Sequence, residues 1–271
     1  MKKITALVLA LLIAVMTLCL AGCGKKAEEN KPLGEADVKT FVMGIDPEYP
    51  PFSYMDENGE YTGFDVEVCK AACEYLGWNF KVFGVNWDNK LMQLDSNECD
   101  CVWSGMTILD SMKEAGYVIS APYFDNTQVL VVKADSGFAS SKDLADKDVA
   151  VMLGTSGETL LKGDLKELSD SFNNVLTCNS FLNCFTELEG GAVDAVFVDK
   201  PVADSYVAEH EGLNIINENL GAEQYGIAFR STDAELCSQI EGAVNALVEN
   251  GKYAEIAAKY PDVVNNLLLL K

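Results

Sequence analysis

The chain is poor in positive charge. Of 271 residues, 42 are Asp or Glu and 20 are Lys or Arg, so the formal net charge is −22. There is one arginine, Arg230, and one histidine, His210. That deficit excludes nucleic-acid binding, because a phosphate backbone is held by basic side chains that release its counterions. It equally argues against charge-driven docking on an anionic membrane face. A single histidine offers little for a zinc site, and no CxxC is present. No Ser-His-Asp or Cys-His pairing presents itself. The sequence therefore calls for no metal, no cofactor and no enzymatic activity.

One long apolar run is present, and it lies at the start. Lys2 and Lys3 precede Ile4–Leu20, which is apolar apart from Thr5, Thr17 and Cys19. Leu20-Ala21-Gly22-Cys23 follows. A basic start, a short apolar stretch and small residues before a cleavage point read as a secretory signal over 1–22. The run is rather short for a stable span of ~20 apolar residues. The cleavage-point cysteine resembles the lipobox of bacterial lipoproteins, which implies lipidation of Cys23. Residues 23–39 are polar, with Pro32 and Gly34, and read as a flexible tether on the outer face of the cell membrane.

Nine cysteines become seven once Cys19 and Cys23 are set aside: Cys69, Cys73, Cys99, Cys101, Cys178, Cys184 and Cys237. An odd number cannot all pair. Free cysteine behaves as a small buried hydrophobe, and that is the expectation here. Cys178–Cys184 is the first pair to test for a disulfide.

The body alternates strand and helix. Thr40–Ile45 reads as a buried strand, Phe64–Leu76 as a helix capped by Gly77, and Asp100–Ser104 as another strand. The rhythm restarts at Thr127–Lys133 and continues through Asp148–Met152, Val175–Cys178 and Ala192–Val198, with helices between. Such alternation implies parallel sheets covered on both faces, here in two α/β lobes. Ligands bind off the carboxyl ends of such strands. The residues placed there are Asp46, Tyr49 and Phe52, then Trp87, then Ser104, Gly105 and Thr107, then Leu153–Ser156, and Asp199.

Five ordered motifs carry a resemblance. Gly44-Ile-Asp-Pro-Glu-Tyr-Pro-Pro-Phe52 with Gly63-Phe-Asp-Val66 opens it, and Ser104-Gly-Met-Thr-Ile108 follows. Gly154-Thr-Ser156, Asp194-Ala-Val-Phe-Val-Asp199 and Gln224-Tyr-Gly-Ile-Ala-Phe229 complete it. Over residues 40 to about 262 the chain resembles solute-binding protein family 3, the polar amino-acid receptors of ABC importers. The resemblance implies a type II periplasmic-binding-protein fold. Lobe 1 would hold 40–125 and 226–271, lobe 2 would hold 130–220, and 126–129 with 221–225 would form the hinge. It further implies a small amino-acid or amine ligand in the interlobe cleft, an ABC permease as partner, and a monomer.

The resemblance assigns roles residue by residue. Tyr49 stacks on the ligand side chain, and Trp87 closes the opposite wall, where a planar aromatic suits a cation. Phe52 belongs to the same motif but reads better as core. Ser104, Gly105 and Thr107 match positions that bind the α-carboxylate and α-ammonium. Thr155 and Ser156 open a helix whose N–H groups can hold an anion, and Ser156 also fits a plain N-cap. Asp199 pairs with the ligand's ammonium, or else caps the helix from Lys200. Asp46 reads a distal cation, or else caps its own loop. Asp65 reads as a helix N-cap.

One departure matters. The family carries an arginine shortly after the Gly-Met-Thr-Ile segment, where it clamps the α-carboxylate. Met112 stands at that position here, and Arg230 lies after the last strand, where a surface role is expected. Lys113 could substitute by a shift of one, the Ser156 helix end could act alone, or the ligand could lack an α-carboxylate. Met152 at a second site-facing position suggests a less polar cleft. Two carboxylates, Asp46 and Asp199, with no compensating arginine favour a cationic ligand. The alternative function is a dehydratase-like enzyme on the same fold.

Overall fold

The computed structural model describes residues 38–271. The signal segment, Cys23 and the tether up to residue 37 lie outside the described residues. The strands are β1 (Thr40–Ile45), β2 (Glu48–Tyr49), β3 (Ser53–Met55), β4 (Tyr61–Thr62), β5 (Asn79–Gly84), β6 (Cys101–Thr107), β7 (Val118–Ile119), β8 (Phe124–Lys133), β9 (Asp148–Met152), β10 (Asn174–Cys178), β11 (Ala195–Asp199), β12 (Leu213–Ile216) and β13 (Ala222–Phe229). The helices are α1 (Phe64–Leu76), α2 (Lys90–Asp95), α3 (Asp110–Glu114), α4 (Ser156–Lys162), α5 (Lys166–Ser169), α6 (Phe181–Gly190), α7 (Lys200–Glu209), α8 (Ala234–Glu249), α9 (Lys252–Ala257) and α10 (Pro261–Val264).

Ten strands join in one hydrogen-bonded array of order β10-β9-β11-β8-β13-β6-β1-β5, with β12 added to β8 and β7 to β13. β1 pairs in parallel with β5 and β6, and β9 with β10 and β11. The inner strands β1, β6, β9 and β11 are mostly buried and largely apolar, as burial on both faces requires, whereas the edge strands β5 and β10 are more exposed. β8 and β13 are antiparallel to their neighbours, so the sheet is mixed rather than wholly parallel.

β8 links the two halves of the array. Its first residues, Phe124–Thr127, pair with Tyr225–Ala222 of β13. From Gln128 onward it pairs with β11, in the register Asp199↔Gln128 to Ala195↔Val132. A chain that passes from one set of strands to the other thus does so as continuous strand, not as loop. β6 is also longer than its sequence pattern suggests. It runs on to Thr107 because β13 lies beside it and supplies partners as far as Tyr225↔Thr107. Ser104, Gly105 and Thr107 therefore sit within a strand rather than after one.

An aromatic group stiffens the crossing. Tyr49 stacks on Phe52 at 5.6 Å, and Phe52 meets Phe124 and Tyr225 edge-on at 5.1 and 5.4 Å. Such pairs are each worth ~0.5–1.5 kcal/mol beyond their burial. Phe52 is fully buried in this group and is core. Helix α1 ends at Gly77 in the left-handed region (φ 69°), the conformation glycine adopts without cost. All seven cysteines from Cys69 to Cys237 are free and buried.

Candidate ligand-binding cleft

A cavity lies where the two halves of the array meet. Its lining includes Tyr49, Trp87, Gly105, Thr107, Met112, Gly154, Thr155, Ser156 and Asp199, which the sequence marks, and Lys90, which it does not. About 30 Å³ is open to the centres of water molecules, room for two or three waters and no more. The walls are contributed by both halves, and they are closed on one another.

Asp199 is held firmly in this cavity. It is the last residue of β11, and its side chain makes no cap hydrogen bond to α7. Instead Asn126 Nδ2 and Gln128 Nε2 each donate to its Oδ1 at 2.6 Å. The same two amides donate to Glu223 Oε1 at 2.7 and 3.0 Å. Ser156 Oγ donates to Glu223 Oε1 at 3.2 Å, and Thr107 Oγ1 donates to Ser156 Oγ at 3.2 Å. Two carboxylates, two amides and two hydroxyls are thus wired together at the point where β8 and β13 cross. Burial first, then the charge of Glu223, pushes the Asp199 carboxyl up to about 7. Asp199 is buried and Glu223 half-buried, so the two carboxyl groups repel where water screens them least.

Glu223, Asn126 and Gln128 are absent from the sequence reading as site residues. A signal was available for one of them: Gln128 is a buried polar residue leading an apolar strand, Val129–Val132.

Glycine is required at two wall positions. Gly105 has φ +53°, and a Cβ there would overlap the Tyr49 ring. Its N–H donates to Asp65 Oδ2 at 2.7 Å, and Tyr123 OH donates to the same oxygen at 2.7 Å. Asp65 is therefore not the N-cap of α1; Gly63 holds that place, and the Asp65 carboxylate fixes Gly105 instead. Gly154 has φ +75°, and a Cβ there would lie 2.6 Å from Asp88 Cα on the facing wall.

Other marked residues lie elsewhere. Ser104 is fully buried and pins the Asp46 loop, meeting Ser53 Oγ at 2.5 Å and accepting from Asp46 N–H at 3.1 Å. Asp46 Oδ1 accepts from Glu48 N–H at 2.9 Å, a loop cap outside the cavity lining. Burial pushes its carboxyl up to about 6. Met152 is core at the end of β9. Thr155, not Ser156, caps α4: its Oγ1 accepts from Glu158 N–H at 3.2 Å. His210 packs on Tyr206 with ring centroids 3.8 Å apart and does not line the cavity.

The two candidate substitutes for the missing arginine also fall outside. Lys113 is exposed and pairs with Asp110 at 3.5 Å. Arg230 is no surface residue. It is largely buried, donating to Leu94 and Cys99 carbonyls at 3.0 and 2.6 Å and pairing with Asp233 at 2.7 Å. Lys90, by contrast, lines the cavity.

Three buried carboxyls raise one expectation about pH. Asp199, Asp65 and Asp46 have ordinary values near 3.8 and are held at about 7, 7 and 6. Between those limits the folded protein holds protons that the unfolded chain has lost. Stability of the unliganded protein must then fall as pH rises from about 4 to about 7. Exposed carboxyls with lowered values, such as Asp56 and Asp143, titrate below this window. Thermal melting at pH 5 and pH 8 is expected to give the higher Tm at pH 5. A higher Tm at pH 8 would mean that these carboxyls are not proton-bound in the fold.

The comparisons agree with this architecture. Residues 41–262 match the family model described as "Bacterial extracellular solute-binding proteins, family 3". The chain belongs to that family. It is 30% identical over 224 residues to the arginine-binding periplasmic protein of Mannheimia haemolytica, covering 81% of this chain and 90% of that one. Among solved structures it is similar to the arginine-bound form of truncated ArgBP from T. maritima, with 36% identity, a TM-score of 0.70 and coverage of 77% and 96%. It is also similar to an ABC uptake transporter substrate-binding protein from Streptococcus pneumoniae with bound histidine, at 25% identity, a TM-score of 0.78 and coverage of 82% and 92%. The fold is the type II periplasmic-binding-protein fold, and this family member is a solute-binding protein.

Proposed function

We propose that this protein captures an amino acid between its two halves and delivers it to the permease of an ABC importer. The observation that carries the reading is Asp199: a buried carboxylate in the cavity wall, braced by Asn126 and Gln128 and crowded by Glu223. An α-ammonium group entering there relieves the carboxylate crowding and donates charge-assisted hydrogen bonds that the carboxylates accept. Tyr49 and Trp87 flank the ligand side chain. The relatives that bear arginine or histidine in their names support an amine-bearing or cationic side chain.

In this reading lobe 1 comprises 40–125 and 226–271, lobe 2 comprises 130–220, and 126–129 with 221–225 are the hinge. The small cavity volume supports a closing mechanism, because a ligand larger than a few waters enters only after the lobes part. Cys23 carries lipid and residues 23–39 tether the receptor outside the cytoplasmic membrane, where it works as a monomer.

A thermal-shift panel of the twenty amino acids, simple amines and dicarboxylic acids tests the proposal. At least one amino acid is expected to raise Tm, since a ligand that binds only the folded state stabilises it by mass action. Stabilisation by dicarboxylic acids alone would reject the reading of Asp199.

A further inference from the structure

We propose that Lys90 is the anion anchor of the cleft, so that the solute is a zwitterion held by its carboxylate on Lys90 and by its ammonium on Asp199. This rests on the amino-acid reading above and names the residue that replaces the family's arginine.

Lys90 starts α2, directly after the 3₁₀ turn Trp87–Asn89, and it lines the same cavity as Asp199 and Met112. Its Nζ donates to the carbonyls of Trp87 at 3.0 Å and of Gly154 at 2.8 Å. An ammonium has three N–H groups, and neither of these bonds goes to a carboxylate. One donor is left to meet a ligand. The Trp87 ring lies 4.6 Å from Nζ and backs the charge on one side.

The competing sources of positive charge are occupied. Arg230 is held by Leu94, Cys99 and Asp233, and Lys113 is exposed on α3. The N-terminal end of α4 is partly served. Thr155 caps it, and Glu158, an acid in its first turn, accepts from Gly154 N–H at 3.1 Å. A carboxylate at that end meets a carboxylate already there. The charged groups around Lys90 are Asp88, Asp46 and Glu158, and all three favour its charged form. Desolvation by burial opposes them, and an incoming anion is the group that would stabilise the cation best.

Lys90 also joins the two halves, since its bond to Gly154 crosses the cleft. A carboxylate bound to the same ammonium would tie ligand capture to closure.

Titration calorimetry on the full chain separates anchor from brace. The probes are L-arginine, L-histidine and L-glutamine, each with its α-carboxamide, which keeps the ammonium and loses the anion. At least one acid is expected to bind ~10-fold or more tightly than its amide. Lys90→Met is expected to weaken that acid by ~10- to 100-fold and the amide by less than ~3-fold, because only the acid loses a charge-assisted bond. Lys90→Gln, which can still donate to the two carbonyls, is expected to behave like Lys90→Met, and Lys90→Arg to keep most of the affinity. Equal losses for acid and amide in Lys90→Gln would overturn the proposal and make Lys90 a brace. Unchanged affinity for the acid would overturn it while leaving the amino-acid reading intact. Binding of amides but of no acid would overturn it and keep Asp199 as the ammonium site, and binding of no probe would overturn both readings.

Discussion

Asp199→Ala is expected to weaken binding of the preferred amino acid by ~100-fold or more without unfolding the protein. Truncating one partner of a buried, hydrogen-bonded charge pair costs ~2–5 kcal/mol or more. Asp199 meets that description once an ammonium is present: it is 5% exposed and held by two amides at 2.6 Å. Without ligand the balance is different. Burial and Glu223 hold its carboxyl at about 7, so above that pH the fold bears the cost of a buried charge. Removing the carboxylate removes that cost, and Glu223 still accepts from Asn126 and Gln128. The unliganded variant should melt no lower than the parent at pH 8. Calorimetry and thermal melting together decide the matter. Retained affinity with a lowered Tm would make Asp199 a structural residue and remove the main support for the function proposed.

Gly154→Ala is expected to uncouple closure from folding. Two effects act at this position. A φ of +75° strains any residue with a Cβ by ~1–2 kcal/mol, whether the lobes are open or closed. The new Cβ would also lie 2.6 Å from Asp88 Cα, backbone that cannot rotate aside. That overlap exists only when the halves meet, and overpacking of this kind costs ~1–3 kcal/mol. Affinity should therefore fall ~5- to 150-fold, and the ligand-induced contraction seen by small-angle scattering should shrink. Gly59→Ala supplies the control. Gly59 has φ +81° and nothing within 4 Å of its added Cβ, so it carries the strain without the overlap. Equal behaviour of the two variants would mean that Gly154 does not report on closure.

Much of the fold is legible in the sequence because the core strands are short apolar runs with clear ends. Thr40–Ile45, Phe64–Leu76 and Asp148–Met152 coincide with β1, α1 and β9 residue for residue. The strands at the crossing are less legible. β6 continues through Ser104-Gly105-Met106-Thr107 only because β13 lies beside it, and that partner is more than a hundred residues away in the chain. Gly105 reads locally as a strand end, whereas its positive φ serves a close approach to Tyr49.

The cleft divides in the same way. Tyr49, Thr107, Ser156 and Asp199 stand in recognisable motifs, Trp87 and Met112 stand outside them, and all six come together around one cavity. Asp46, Phe52 and Ser104 stand in the same motifs but support the wall from behind. Sequence pattern alone does not separate the layer that faces the cavity from the layer that holds it. Lys90 and Glu223 show the converse. A lysine on a short helix and a glutamate on a strand end read as solvated charges. Only the docking of α2 against Gly154, and the crossing of β8 with β13, turn them into lining and brace. The deficit of arginine is informative for the same reason: it directs attention to whichever cation the fold brings into the cleft.

The most direct measurement is a crystal structure with the amino acid that gives the largest thermal shift. The α-ammonium is expected within ~3 Å of an Asp199 oxygen and the carboxylate within ~3 Å of Lys90 Nζ, with Tyr49 and Trp87 flanking the side chain. A ligand bound outside this cavity, or one whose carboxylate faces Asp199, would contradict this placement.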